Sequence, residues 1–175
     1  MIVLFRIDDR LLHGQVAFLW RKQLKFTHIL VCSDSAANDG YTRQILNFSK
    51  PQECTLEIAE MRDAPERIRQ LAQSEARGVV IVGSPADAAA LADCLPADQR
   101  INIGTIRERP GSRLLGEYTA LTQEDTSYLL ALLRRGREIW IGRYPSDPRQ
   151  PLHEAALRAL FEEKIPEAGN DNGGT

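Results

Sequence analysis

Six short apolar runs constrain this chain more than any other feature: "IVLFRI" (2–7), "HILVCS" (28–33), "TLEIA" (55–59), "GVVIVG" (78–83), "RINIG" (100–104) and "EIWIGR" (138–143). Each is rich in β-branched residues, too short for a helix and bounded by polar or turn residues, so each reads as a strand. Stretches of helical length separate most of them. Strand–helix alternation of this kind folds as a mainly parallel sheet with helices on both faces, because parallel strands need long crossovers. The expected fold class is therefore an open, doubly wound α/β/α sandwich.

With 175 residues, 43% of them hydrophobic, the chain has enough apolar surface for one core. The expectation is a single domain over 1–164, followed over 165–175 by a mobile tail, "IPEAGNDNGGT", that has little to bury. Helix starts carry caps: "DAPE" (63–66) combines an acid, a proline and a Glu, and "SPAD" (84–87) and "TQED" (122–125) follow similar logic. "LLRRG" (132–136) places arginines in a last turn and Gly136 just past it. In the helix opening at "GQVAFLWRKQ", Val16, Leu19 and Trp20 are expected to form the buried stripe. The segment 105–117, with Pro110, Gly111 and Gly116, reads as a surface loop or hairpin.

The 22 Lys and Arg against 24 Asp and Glu leave a formal charge of −2, which excludes the basic footprint of a nucleic-acid binder. Cys32, Cys54 and Cys94 are far apart and odd in number, as expected of reduced thiols rather than a disulfide framework or a zinc site. "GVVIVGSPAD" lacks both G-x-G-x-x-G and a G-K-[ST] ending, so no ATP or NAD site is expected. The start shows no signal-like leader, and no run approaches the length of a membrane span; a soluble, cytoplasmic protein is expected. His28 and His153 read as surface or structural, Trp20 and Trp140 as core or interface residues. Arg134, Arg135 and Arg137 read as a solvated helix end. The three arginines of "RERPGSR" (107–113) belong either to a mobile polar loop or to a partner-docking one.

"RIDDRLLHGQV" (6–16) needs a different explanation, since a core has no use for two acids, two arginines and a histidine so close together. If 2–7 is the first strand and Gly14 opens a helix, residues 8–13 form the loop at the carboxyl end of that strand. Ligand sites of open α/β sheets collect along that edge, which also receives Ser33, Asp34, Ser84, Gly104 and Thr105. A histidine at a helix start suits phosphoryl transfer. Its imidazole nitrogen is both nucleophile and leaving group, and helix N–H groups stabilise an anion. Arg10 supplies a planar fork for phosphate oxygens, Gly14 permits close backbone approach, and Asp8 or Asp9 fixes the loop by accepting bonds from arginine or backbone. From spacing alone a second reading stands beside this one: His13 caps a helix or pairs with a nearby acid.

The same eleven residues resemble the phosphorylation-site signature of the IIB components of the mannose/fructose/sorbose family of the bacterial sugar phosphotransferase system. Further similarity follows in "GSP" (83–85), "INIG" (101–104), "LTQED" (121–125) and "YPSDP" (144–148), across roughly the first 150 residues. The resemblance implies a doubly wound domain acting as a protein-Nπ-phosphohistidine–sugar phosphotransferase. It would accept phosphate from a IIA component and pass it to a sugar held by membrane IIC and IID components, with no cofactor, metal or nucleotide of its own. It maps His13 onto the phosphorylated histidine, Arg10 onto the phosphate-stabilising arginine, and Ser84 onto a small polar residue near the phosphate. It implies a cytoplasmic location, peripheral to the inner membrane face through the partners, for a monomer or a homo-oligomer. One stretch departs: "NIGTI" (102–106) stands where the family usually has Asn-Val-Gly-Gly or Asn-Val-Gly-Asn followed by Met. That departure supports a rival reading, a regulatory or small-ligand-binding domain that keeps the fold without being an obligatory relay.

Overall fold

Because parallel strands buried on both faces carry near-continuous apolar sequence, the most uniform runs belong at the centre of the sheet. A computed structural model of the chain describes residues 1–162 and bears this out; the expected tail at 165–175 lies outside the described residues. The strands β1 (Ile2–Ile7), β2 (His28–Cys32), β3 (Thr55–Ala59), β4 (Gly78–Val82), β5 (Ile101–Ile103), β8 (Ile139–Ile141) and β9 (Gln150–Pro151) form one sheet in the order β3-β2-β4-β1-β5-β8-β9. All pairings are parallel except that of β9, which runs antiparallel to β8. At one edge β3 alternates in burial, and at the other the two-residue β9 ends on Pro151, which cannot extend the ladder. A separate hairpin, β6 (Arg113–Leu114) with β7 (Ala120–Leu121), accounts for the segment expected as loop or hairpin.

The helices divide between the two faces. The connections β1 to β2 to β3 run toward one edge and carry α1 (Gly14–Leu24), α2 (Asp34–Asn38) and α3 (Gly40–Ser49). The return connections to β4, β5 and β8 carry α4 (Ala64–Gln73), α5 (Pro85–Leu91) and α6 (Gln123–Arg134), and α7 (Glu154–Ala159) follows β9. Right-handed crossovers require this division once strand order reverses direction. One core layer joins Phe5, Ile7, Val80 and Ile103 to Ile68, Leu91, Leu129 and Leu132. The other joins Leu4, Ile29, Val31 and Ile81 to Val16, Ala17, Trp20 and Leu46. Trp20 and Trp140 are both buried, with ring centroids 6.0 Å apart.

Most local expectations hold. Ser84 caps α5 through the Asp87 N–H, Thr122 and Asp125 form a reciprocal capping box on α6, and Gly136 has φ +79° beyond the end of α6. Two do not. Leu19 is exposed and Ala17 takes its place beside Val16 and Trp20; at 100° per residue Leu19 lies about 100° from the centre of that stripe. Asp63 makes no side-chain cap on α4, because it is already helical and the chain enters through a turn in which Ala64 N–H donates to the Glu60 carbonyl. The cysteines are free thiols, Cys32 and Cys54 buried and Cys94 half-buried. Burial pushes the Cys32 thiol up to about 12, so it stays protonated and inert.

Among the described residues no helix is long and apolar enough to cross a membrane.

Candidate functional site

The strand order places the loop 8–13 at a topological switch. β1 lies between β4 and β5, and its own connection leaves toward the α1 face while theirs leave toward the other. A crevice opens at such a point because neighbouring loops diverge. Backbone bonds hold the loop across it: Asp8 N–H donates to the Val82 carbonyl at 2.9 Å and Asp9 N–H to the Thr105 carbonyl at 2.9 Å. Leu11 N–H closes a turn onto the Asp8 carbonyl, and Arg10 N–H donates to Asp8 Oδ1 at 3.2 Å, an Asx-type arrangement that aspartate favours at a turn start. Leu11 has φ +57°, a left-handed conformation that is uncommon for a leucine and costs about 1–3 kcal/mol. Leu12, buried among the α1-side core residues, helps fix it there.

Beneath the loop lies a buried charge cluster. Arg6, 3% exposed, donates through Nε and Nη2 to Asp8 Oδ2 at 3.2 and 2.8 Å, through Nη1 to Asn102 Oδ1 and the Gly142 carbonyl at 2.5 and 3.2 Å, and through Nη2 to the Arg143 carbonyl at 3.3 Å. Burial pulls its pKa down, while Asp8 acts in the opposite sense. Asp8 Oδ1 accepts from Arg10 Nε at 3.3 Å, and Arg10 Nη2 donates to Thr105 Oγ1 at 3.0 Å. A Cβ on Gly104 would fall 2.1 Å from Arg6 Nη2, so the guanidinium fits only against a glycine.

His13 is exposed, has extended backbone angles and stands at the N-cap of α1, but its side chain makes no capping bond. The first turn of α1 contains no acid, so its free N–H groups stay uncompensated. Gly14 follows, its backbone against Ser49: a Cβ there would lie 3.6 Å from the Ser49 carbonyl oxygen. Arg10, Asp8, Asp9, His13 and Gly14 thus share one loop and helix start. Asp9 Oδ2 accepts from Arg107 N–H and Nε, both at 2.9 Å, and this bond raises the Arg107 pKa. Ser84 stands at the neighbouring β4 exit, where its Oγ donates to Asp87 Oδ2 at 2.8 Å and accepts from Asp87 N–H at 3.1 Å. Its one hydroxyl proton is therefore already engaged.

The three arginines of 107–113 are likewise tied down: Arg107 to Asp9, Arg109 to Asp125, and Arg113 to the Leu160 carbonyl. Arg137, half-buried, donates to the carbonyls of Ala92 and Pro96. His28 and His153 are exposed and far from this edge in the fold, at the start of β2 and the N-cap of α7. Sequence reasoning missed Arg6, Asn102 and the carbonyls of 142–143. A signal was present: an arginine inside a central apolar strand cannot reach water, and Asp8, two residues on, shares its side of the strand. Among the described residues no group of three or more His, Cys, Asp or Glu gathers as metal ligands do.

Comparison with known proteins bears on this arrangement. The family model described as "PTS system sorbose subfamily IIB component" matches residues 2–165. A probable phosphotransferase enzyme IIB component of Streptococcus pyogenes serotype M6 is 34% identical over 106 residues, covering 61% of this chain and 65% of that protein. The mannose-specific EIIAB component of Escherichia coli K12 is 26% identical over 149 residues, 85% of this chain but only 46% of its own length. The chain therefore spans between about half and two thirds of these relatives. Among solved structures, the IIBSor domain of the sorbose permease from Klebsiella pneumoniae superposes with a TM-score of 0.82 at 24% identity, covering 91% of this chain and 97% of that one. At that identity the likeness speaks for the fold.

Proposed function

The chain belongs to the sorbose-subfamily IIB components of the phosphotransferase system, and from that premise we propose that it is a phosphocarrier working through His13. A phosphorylated IIA component presents its phosphohistidine; the P–N bond there breaks as a P–N bond to His13 forms. The P–N bond on His13 then breaks as a P–O bond forms to a hydroxyl of a sugar held by membrane IIC and IID components, and the hydroxyl proton leaves to solvent. The protein sits in the cytoplasm at the inner membrane face through these partners.

One observation carries the reading: an exposed histidine with no side-chain cap bond at a helix start that contains no acid, three residues after an arginine whose Nη1 meets no acceptor among the described residues. Phosphoryl transfer asks for positioning and charge stabilisation, and both are available here. Arg10 and the first-turn N–H groups of α1 receive the phosphate oxygens, Gly14 keeps the approach open, and Asp8 and Asp9 hold the loop. Ser84 serves the site by ordering α5 beside it, with phosphate contact only if its bond to Asp87 is exchanged. The unusual "NIGTI" stretch does not favour the regulatory alternative, since Gly104 accommodates Arg6 and Thr105 engages Arg10.

The test mixes the purified chain with a phosphorylated IIA protein, then adds membranes containing IIC and IID with candidate sugars, following labelled phosphate. Acid-labile label on His13 that moves to a sugar is the expected result. Label taken directly from ATP overturns the carrier reading, and label that never discharges to any sugar favours the regulatory one.

A further inference from the structure

We propose that Arg6, buried beneath the loop, is a positioning residue for phosphoryl transfer: it occupies one oxygen of Asp8 from inside the fold so that Arg10 keeps donors and net positive charge for the phosphate on His13. The inference rests on the reading of His13 as the phosphate acceptor.

Alone, Asp8 would consume the arginine that it fixes. A carboxylate held dry beside one arginine forms a closed two-pronged pair, neutralises the cation and uses the same fork that a phosphate needs. Here the pair is opened. Asp8 Oδ2 is given to Arg6 Nε and Nη2 and faces the Thr105 N–H at 3.4 Å, leaving only Oδ1 for Arg10. The Arg10 guanidinium meets that oxygen through Nε alone, while Nη2 turns to Thr105 Oγ1. The two arginines and one carboxylate sum to +1, and the least buried member of the three is Arg10.

Arg6 is unusually well fixed for this task. Its five N–H groups make five bonds to four acceptor atoms: Asp8 Oδ2, which takes two, Asn102 Oδ1, and the carbonyl oxygens of Gly142 and Arg143. The Trp20 ring centroid lies 5.9 Å from its Cζ, and a Cβ on Gly104 would overlap the guanidinium. A group held by five bonds and a glycine keeps one rotamer, so the carboxylate it grips keeps one orientation.

The experiment is a double-mutant cycle on the full chain, reading His13 phosphorylation by a phosphorylated IIA protein under single-turnover and saturating conditions. Arg6→Met should lower the saturated rate by about tenfold or more while leaving the half-saturating donor concentration unchanged, because docking is untouched and transition-state charge is lost. In an Arg10→Met background the same change should alter the rate by less than about twofold, the coupling expected of residues acting as one unit. Gly104→Ala, which displaces the guanidinium without deleting it, should repeat both results and keeps the test open if Arg6→Met does not fold. Equal slowing in both backgrounds, or an unslowed folded Arg6→Met, overturns the role and leaves Arg6 as scaffolding only. A wild-type chain that takes no phosphate on His13 overturns the functional reading as well, whereas a labelled wild type with no coupling overturns the Arg6 role alone.

Discussion

Arg6 and Arg10 share one carboxylate yet live in opposite conditions. Arg6 and Asp8 are 3% and 1% exposed and fully bonded, whereas Arg10 is 19% exposed and meets Asp8 at the longer distance of 3.3 Å. His13, at the far end of the same loop, is exposed with its ring free of a capping bond. The inner half of the loop is built like a core and the outer half like a binding site. A buried group is expensive to disturb because its partners cannot fall back on water, while an outer group loses only what it does to a ligand. Substitutions should therefore separate into those that cost stability and those that cost reactivity.

The sharpest case is His13→Gln, which should abolish acceptance of phosphate from IIA while shifting stability by no more than about 0.5 kcal/mol; intact-mass analysis and denaturant unfolding read the two effects. Asp8→Ala strands Arg6 in the interior and should cost about 3–5 kcal/mol of stability, measured as a fall in the urea midpoint at unchanged slope. If it unfolds no more easily than wild type, the inner half is not core-like. Arg10→Lys keeps the charge and loses the planar fork, so transfer should slow about 100-fold or more with stability nearly unchanged. An unslowed variant would reduce Arg10 to loop shaping. Ser84→Ala removes a helix cap and should cost about 1 kcal/mol; a much larger loss of transfer than of stability would give Ser84 a direct phosphate contact. The smallest effect belongs to Asp9→Asn, whose partner Arg107 is 67% exposed. It should cost about 0–1 kcal/mol, and the cost should vanish in high salt.

The outer half was legible in the amino-acid sequence and the inner half much less so. His13, Arg10 and Gly14 follow one another in a loop whose position depends only on recognising a strand and a helix start. The fold was legible for the same local reason, since β1, β2 and β4 are apolar apart from Arg6 in β1 and His28 at the start of β2, and are flanked by polar or turn residues. The inner half joins Arg6 to Asn102 and the 142–143 carbonyls, partners 96 to 137 residues away that no local pattern announces. β6, β7 and β9, two residues each, carry no periodicity to detect. Leu19 was misplaced because two side chains competed for one helical stripe, and the smaller, Ala17, sits at the angle that meets the sheet.

The central position of β1 also governs when the protein can work. β1 leaves the ribosome ahead of the other strands of its sheet, yet its two neighbours are β4, at residues 78–82, and β5, at 101–103. At typical synthesis rates that leaves roughly 4–15 s in which its apolar residues have no native strand to pair with. The loop after β1 matures later still, because Asp9 N–H waits for the Thr105 carbonyl and Arg6 for the carbonyls of Gly142 and Arg143. A nascent chain truncated before residue 143 thus carries the whole "RIDDRLLHGQV" stretch without the acceptors that orient it. Competence for phosphate arrives as a late, all-at-once event of assembly, well after the residues that bear it have been made.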